Sequence, residues 1–240
     1  MIEKRVLTPQ MIRIVLGGEE LAGLGAGAFT DHYVKLRIAP PGASEPRTRT
    51  YTVREWDGER LTIDFVVHGH SGVAGPWAAS AQPGDELLLL GPGGAYAPDP
   101  AAAWHLMVGD SSVIPAIAAS LDRIPAGVPV HVLVEVDGPE EEQPIATPGD
   151  LHLTWLHHNG DDGALAGAVA ALDFPPGPVH AFVHGEASAV RAIRRHLLVD
   201  RGLPREALSI SGYWKRTRTE EGWREDKAEW NRLVEQDIAA

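Results

Sequence analysis

The stretch Gly91-Pro-Gly-Gly-Ala-Tyr-Ala-Pro-Asp-Pro100 divides the sequence into two parts with different patterns. It is the densest cluster of Gly and Pro in the chain, and these residues interrupt helices and strands. Before it, short β-type runs alternate with turn residues; after it, β-type runs alternate with helical segments. The sequence therefore predicts two domains, residues 1–98 and residues 99–240.

The first part is typical of an antiparallel β-barrel. Runs rich in β-branched and aromatic residues are separated by Gly, Pro and Asp, which favour turns. The predicted strands are residues 11–16, 33–38, 48–54, 61–67 and 86–90.

The second part is typical of an α/β domain with a mostly parallel, Rossmann-like sheet. Its predicted strands are residues 104–108, 130–136, 151–156, 179–183 and 208–211, and its predicted helices are residues 115–123, 164–172 and 188–199. A last amphipathic helix is expected over residues 219–238, with Trp223, Trp230, Leu233 and Val234 on or near one stripe.

Composition excludes several classes of protein. The chain of 240 residues carries 21 Lys and Arg against 33 Asp and Glu, and the net charge of −12 has the wrong sign for binding nucleic acid or an anionic bilayer. It has no cysteine, which excludes disulfides, thiolate zinc sites and iron–sulfur clusters. No apolar run reaches membrane-spanning length. We expect a cytoplasmic monomer with no resident metal, whose redox chemistry, if it has any, comes from a cofactor.

The segment Arg47-Thr-Arg-Thr-Tyr-Thr-Val-Arg54 is the first candidate binding element. In a strand, Arg47, Arg49 and Tyr51 share one face. Two guanidinium groups and one aromatic ring on a single face could hold a diphosphate and stack on a flat ring. The alternative is a solvent-facing strand whose arginines pair with carboxylates.

A glycine-rich loop then leads into a short helix. Gly75 and Pro76 suit the N-cap and first helical position. The exposed amides of such a loop favour a phosphate. The alternative is a helix that caps the barrel and binds nothing.

In the second part, Gly109-Asp-Ser-Ser112 follows a strand and precedes a helix, where open α/β sheets bind nucleotides. Glu186 could contact such a ligand or simply complement the start of a helix. Glu135 and Asp137, at the end of the second strand, could accept a hydrogen bond from a ribose 2′-hydroxyl and would oppose a 2′-phosphate.

Taken together, these segments resemble the siderophore-interacting protein family, which consists of FAD-containing ferric-siderophore reductases of the ferredoxin-reductase-like superfamily. The resemblance covers nearly the whole chain in order. It rests on residues 49–54, 68–69, 72–78, 91–94, 109–117, 134–136, 185–187, 211–215 and 220–223.

The resemblance implies that FAD binds the N-terminal barrel. Arg49 would hold its pyrophosphate, Tyr51 would stack on the isoalloxazine, and Thr52 would lie near flavin N5. Val73 and Gly75 replace a proline and a small hydroxyl residue of the family pattern, so the phosphate would rely on the amides of Gly75, Trp77 and Ala78. The other implied FAD contacts are Val66, His68, Gly69 and Gly72.

The resemblance also implies an NAD(P)H site in the second domain, with no catalytic side chain. Its expected residues are Gly109, Asp110, Ser111, Ser112, Gly185, Glu186, Tyr213 and Trp214. Trp214 could cover the flavin or nicotinamide pocket, or it could pack between the domains. Lys215, Arg216 and Arg218 follow a predicted strand end and could form a platform for an anionic ferric siderophore, or they could neutralise nearby glutamates.

The expected function is transfer of electrons from NAD(P)H through FAD to a ferric siderophore, which releases Fe(II). Two alternatives stay open: a flavin or quinone reductase on the same scaffold, and a non-catalytic protein that binds the ferric chelate. The donor could be NADH, NADPH or reduced ferredoxin.

Overall fold

A computed structural model describes residues 1–24, 27–40, 45–69 and 72–239. The chain forms two compact units, each with its own hydrophobic core. Unit 1 contains Met1–Pro98, Pro115–Arg123 and Glu140–Ala146, and unit 2 contains Asp99–Ile114, Ile124–Pro139 and Thr147–Ala240. The assignment of one cofactor to each part of the chain stays a prediction.

Unit 1 is built from two antiparallel sheets around one core, as the sequence pattern predicts. One sheet has the order β1-β2-β6-β5 and the other β4-β3-β7. Val34, Leu36, Ile63 and Phe65 are fully buried in the shared core. The elements are β1 (Glu3–Thr8), β2 (Met11–Gly17), β3 (Tyr33–Ile38), β4 (Arg47–Thr52), β5 (Glu55–Trp56), β6 (Arg60–Val66), helix α1 (Ala74–Ser80) and β7 (Leu88–Gly93).

Strand β7 departs from the sequence expectation. It continues to Gly93, through the first residues of the Gly/Pro cluster. A proline is tolerated because β7 lies at the edge of its sheet and, within the described part of the chain, pairs with β3 alone. Gly93 is required by a close approach, since a Cβ there would lie 2.4 Å from the ring of Tyr33. Glycine in this strand is therefore a packing feature and not a break.

Unit 2 contains a five-stranded, wholly parallel sheet with the order β10-β9-β8-β11-β12. The chain builds outward from β8 to β10 and then returns to β11 on the other side of β8, which creates a topological switch point between β8 and β11. This confirms the predicted Rossmann-like fold class. The elements that follow along the chain are β8 (Trp104–Asp110), α2 (Ile114–Leu121), whose residues from Pro115 onward belong to unit 1, β9 (Pro129–Val136), β10 (Asp150–His157), α3 (Ala164–Ala171), β11 (Val179–Glu186), α4 (Ala187–Arg195), β12 (Leu208–Trp214) and α5 (Glu220–Ala239).

The C-terminal helix α5 packs on unit 2 through the predicted apolar stripe. Trp223, Trp230 and Val234 are buried in its core. Polar contacts with α4 support this packing: Arg194 Nη1 donates to the carbonyl of Val234 at 2.7 Å, and Arg191 makes a two-point ion pair with Asp237 at 2.5 and 2.8 Å. No helix in the described ranges is both long and apolar enough to cross a membrane.

Candidate functional site

The carboxylate of Asp110, at the end of the central strand β8, connects the ends of three strands. Its Oδ1 accepts hydrogen bonds from the amide and hydroxyl of Ser112, at 2.9 and 2.5 Å. Its Oδ2 accepts from the amide of Glu186 at 2.7 Å and from the indole of Trp214 at 2.9 Å, at the ends of β11 and β12. Burial raises the pKa of Asp110, and the four hydrogen bonds oppose that increase. The switch point is therefore organised around one partly buried carboxylate.

Two glycines make room for this arrangement. Gly185 has a φ of +124°, and a Cβ there would lie 2.4 Å from Asp110 Oδ2. A Cβ at Gly109 would lie 2.6 Å from Cβ of Val113, in the turn before α2. Both positions thus have structural reasons to be glycine, whatever ligand they contact.

Both carboxylate oxygens of Glu186 have partners within the protein. Oε2 accepts from the amides of Ser188 and Ala189 at 2.7 and 3.1 Å, which caps the start of α4. Oε1 accepts from the amide of Arg216 at 3.1 Å. The helix-start role considered from the sequence is thus present, and a contact between Glu186 and a nucleotide stays a prediction.

The segment Trp214 to Arg218 turns back over the carboxyl edge of the sheet. The predicted strand ending at residue 211 is wrong, because β12 extends to Trp214. From there the Trp214 indole reaches past β11 to Asp110. Arg216 Nε lies 3.2 Å from Oδ1 of Asp162, which follows β10, the outer strand on the other side of the sheet from β12. Thr217 has a φ of +66°, unusual for a β-branched residue, in a turn closed by the amide of Arg218 and the carbonyl of Lys215.

The three cations predicted as a substrate platform follow β12 in this turn. Arg216 pairs with Asp162, and Arg218 pairs with Asp226 of α5 at 2.7 Å. Lys215 has no ion pair within the described ranges. Carboxylates therefore already balance two of the three positive charges. For Arg218 this agrees with the alternative that these cations neutralise nearby acidic residues, although its partner is Asp226 and not a glutamate.

Asp162 and Lys227 also lie at this edge, although no sequence motif pointed to them. The available signal for Asp162 was its position directly after a strand of a parallel sheet. Lys227 of α5 donates from Nζ to the carbonyl of Gly212 at 3.0 Å, and burial lowers its pKa. Next to this contact, Tyr213 packs edge-on against the ring of His184, with ring centroids 5.0 Å apart.

In unit 1, strand pairing places Arg49 and Tyr51 on one face of β4. They lie opposite the fully buried Leu36 and Val34 of β3. The Tyr51 ring packs on Phe65, with centroids 4.4 Å apart. Arg49 is buried, and its Nη1 donates to the carbonyl of Thr48 at 3.0 Å. Thr52 lies on the other face, opposite Tyr33, as ideal alternation predicts.

Helix α1 corrects two expectations. It begins at Ala74 with Val73 as its N-cap, so the predicted N-cap at Gly75 is wrong. The amide of Trp77 donates to the carbonyl of Val73 at 3.2 Å, and helix geometry directs the amide of Ala78 to Ala74, so neither amide is available to a phosphate.

The physical reason for this shift is packing between α1 and β6. A Cβ at Gly75 would lie 3.3 Å from the carbonyl oxygen of Val66 and 3.4 Å from Cα of Val67. Glycine lets the first turn of the helix sit directly on the end of the strand. The amides of Ala74 and Gly75 belong to that first turn, which has no preceding helical carbonyl to receive them.

The residues of β4 and of the loop before α1 carry chemical groups that suit a flavin dinucleotide. Arg49 offers a cation for a diphosphate, and Tyr51 offers a ring beside it. In the adjoining loop His68 is exposed, and Gly69 and Gly72 have φ of +56° and +80° with open space where a Cβ would stand. A loop of this kind leaves backbone accessible to a large ligand.

Comparison with known proteins identifies related sequences and folds. The family model described as siderophore-interacting FAD-binding domain matches residues 1–47 and 37–96, and the model described as siderophore-interacting protein matches residues 102–217. Ferric vibriobactin reductase ViuB of Vibrio cholerae is 34% identical over 94% of this chain and 92% of its own. The NADPH-dependent ferric-chelate reductase of Escherichia coli is 29% identical over 84% and 86%.

Solved structures agree with these matches. A siderophore utilization protein from T. fusca superposes with a TM-score of 0.81 and 36% identity, covering 91% of this chain and 92% of that one. A ferredoxin reductase in carbazole 1,9a-dioxygenase shares the fold alone, with a TM-score of 0.68 and 19% identity over 89% of this chain and 68% of its own. With both units matched in order and the resemblance seen in the sequence confirmed, the chain belongs to the siderophore-interacting protein family.

Proposed function

We propose that this protein is an FAD-dependent ferric-siderophore reductase that takes electrons from NAD(P)H and delivers them to Fe(III) in a siderophore. One observation carries the proposal. A unit that matches the siderophore-interacting FAD-binding domain is joined, in one chain, to a parallel sheet whose switch point is lined by Asp110, Glu186 and Trp214.

The proposed FAD site is the Arg49 face of β4 with the loop leading to α1. Bound FAD would supply the chemistry that no side chain here can perform, because it accepts electrons as a pair and releases them singly. The protein would bind and orient it: Arg49 would neutralise the diphosphate, and Tyr51, held by its packing on Phe65, would offer its ring to the flavin. Thr52, on the opposite face, would contribute through its backbone.

The proposed nucleotide site is the carboxyl edge of the parallel sheet. Asp110 fixes the loop over residues 109–112 and the start of α4, so the backbone that would receive the nucleotide is pre-organised. Trp214 lies over this edge with 37% of its surface exposed, and it is held by only one described hydrogen bond of its indole. A large, exposed ring at this position is suited to cover a nucleotide.

The proposed substrate platform centres on Lys215, with Arg216 and Arg218 beside it. An anionic chelate would be repelled at long range by the net charge of −12. At physiological salt the Debye length is about 8 Å, so the local charge of the turn decides the approach.

The first test concerns flavin binding. We expect Arg49→Ala to lower FAD affinity by about one to two decades, because loss of a charge-assisted contact costs roughly 1.5–3 kcal/mol. Tyr51→Ala is expected to shift the flavin absorbance spectrum. Arg60→Ala removes a matched exposed cation from β6 and is expected to change neither. Unchanged occupancy and spectra in both variants would show that β4 is purely structural.

The second test separates the proposed activity from its alternatives. The flavin-loaded protein is mixed anaerobically with NADH, NADPH or reduced ferredoxin, and then with ferric siderophore, in a stopped-flow spectrometer. Bleaching of the flavin followed by chelate-dependent reoxidation and Fe(II) release supports the reductase. Reoxidation by a quinone or free flavin, with no reaction of the chelate, would support the flavin or quinone reductase. A colourless protein that binds ferric siderophore would support a carrier.

The third test addresses the platform. We expect Lys215→Ala to raise the KM for an anionic ferric chelate severalfold and to make its salt dependence shallower, while flavin reduction by NAD(P)H is unchanged. If chelate kinetics stay the same in the Lys215→Ala/Arg216→Ala double variant, the chelate binds elsewhere.

A further inference from the structure

One long segment of the chain has no cationic side chain. Between Arg123 and Arg191 there is no Lys or Arg, while the same segment contains ten Asp or Glu residues. It includes β9, β10, α3 and β11. The sheet on the β9–β10 side of the switch point therefore carries only negative formal charge at neutral pH.

The ends of β9 and β10 bring several of these acidic groups to the carboxyl edge. Glu135 lies one residue before the end of β9, directly beside Asp110 of β8 in the strand register. Asp161 and Asp162 follow β10 and are exposed. Acidic side chains therefore lie at the end of β9 and in the loop that follows β10.

Glu135 is the acidic residue of this group that the fold holds in a defined place. Its side chain is only 15% exposed, and its Oε1 lies 3.2 Å from Nδ1 of His158, which follows β10. Burial raises the pKa of Glu135, and the neighbouring His158 and Arg216 oppose that increase. Asp137, the other acceptor considered from the sequence, is exposed beyond the end of β9.

This position is informative because of how dinucleotides lie on parallel sheets. The pyrophosphate sits at the first strand's loop and helix, and an acidic residue at the end of the second strand accepts from the ribose 2′-hydroxyl. A 2′-phosphate there needs an arginine or lysine instead. The cation that reaches this side is Arg216, and Asp162 already pairs with its guanidinium.

We propose that the electron donor of this protein is NADH and that Glu135 is the residue that selects it over NADPH. The proposal rests on the reductase function proposed above. Glu135 accepts a hydrogen bond from the 2′-hydroxyl of NADH, and its charge, with those of Asp161 and Asp162, repels the 2′-phosphate of NADPH.

The kinetic test measures anaerobic reduction of the protein-bound flavin by each nucleotide over a range of concentrations. We expect the ratio of rate constant to Kd to favour NADH by at least about tenfold. Glu135→Gln keeps the size of the side chain and removes its charge, so the preference should fall at least about fivefold. Asp173→Asn removes one exposed carboxylate on the loop before β11, at the opposite end of the sheet, and should leave the preference unchanged.

A binding test gives a readout that does not depend on turnover. Calorimetry on the flavin-loaded protein compares adenosine 5′-monophosphate with adenosine 2′,5′-bisphosphate. We expect the bisphosphate to bind at least about tenfold more weakly in the wild type and to gain affinity in Glu135→Gln. Circular dichroism and melting temperature verify that the variants fold.

The outcomes separate this inference from the proposed function. Equal or better reduction by NADPH, or tighter binding of the bisphosphate, would overturn the assignment of NADH. An unchanged preference in Glu135→Gln would overturn the role of Glu135. Each of these results leaves the reductase intact. Failure of both dinucleotides to reduce the flavin would overturn the reductase proposal and this inference together.

Discussion

The two edges of the parallel sheet in unit 2 hold ionisable side chains in opposite ways. At the carboxyl edge, Asp110 is partly buried and Glu186 is buried, and each receives several hydrogen bonds. At the amino edge, four histidines pair across neighbouring strands: His105 with His180, and His131 with His152. Hydrogen-bond donors organise the first edge, whereas the second edge contains a buried imidazole, that of His105, without such partners among the described residues.

The histidine edge shows what burial alone does to an imidazole. His105 is fully buried, and neither ring nitrogen has a hydrogen-bond partner among the described residues. Burial, with a smaller effect from His180, lowers its pKa to about 4. The rings of His131 and His152 are stacked, with centroids 4.6 Å apart, and burial lowers the pKa of His131 too.

This difference in hydrogen bonding distinguishes a candidate binding site from a hydrophobic core. A buried group surrounded by donors is held in one geometry and can position a ligand, whereas a buried group without partners only makes the fold sensitive to pH. Each of the following variants tests one side of that contrast.

The largest effect is expected from Asp110→Ala. Removing the carboxylate leaves the donors of Ser112, Glu186 and Trp214 without their acceptor, and each such group costs about 1–3 kcal/mol when it stays buried. We expect the free energy of unfolding to fall by about 3 kcal/mol in urea denaturation at pH 7. Asp110→Asn keeps the size and one acceptor oxygen, so its loss should be about half. A loss below about 1 kcal/mol in Asp110→Ala would mean that the edge is not held by this carboxylate.

A second effect, which is visible only in acid, is expected from His105→Leu. Because the folded pKa is about 4 against an ordinary 6.5, the unfolded chain binds this proton first as the pH falls. The stability due to neutral His105 is complete above pH 6.5 and is lost between pH 6.5 and 4. The variant should flatten the dependence of unfolding free energy on pH in that window by at most about 1.4 kcal/mol per pH unit.

The matched control for this acid effect is His157→Leu. His157 is exposed at the end of β10, and this variant controls for the loss of an imidazole from the surface. Urea titrations at several pH values between 4 and 7.5 give both slopes. Identical slopes for wild type and His105→Leu would show that burial of His105 does not keep it neutral.

The smallest effect is expected from Trp214→Phe. The substitution removes one hydrogen bond to Asp110 from a partly exposed ring, which is worth about 0.5–1.5 kcal/mol. In the Asp110→Ala background the same change should cost almost nothing, because the acceptor is already gone. An additive loss in this double-mutant cycle would show that Trp214 contributes through packing alone.

Local patterns in the sequence were sufficient to predict which side chains share a face in strands and helices, because the geometry of these elements repeats along the chain. The alternation that puts Arg49 and Tyr51 on one face, and the stripe that buries Trp223, Trp230 and Val234, both appear in the fold. These follow from the periods of strand and helix, which depend on neighbouring residues only.

Predicting strand β1 and the length of β7 requires information from other parts of the chain. Strand β1 carries charged residues yet pairs with β2 as an edge strand. From the sequence, the glycines of β7 predict a break and Gly75 predicts an N-cap. In the structure, close contacts with Tyr33 and Val66 place these glycines inside the strand and inside the helix. Such contacts join segments that are far apart, so no local pattern reports them.

The sequence by itself determined the two kinds of domain and the family, because periodicity and motif order are properties of the chain. Only the tertiary structure decided that Asp110 would meet Glu186 and Trp214, which lie 76 and 104 residues away. The physical reason is strand order: β11 returns beside β8, and β12 follows next to it, so three distant strand ends converge at one switch point.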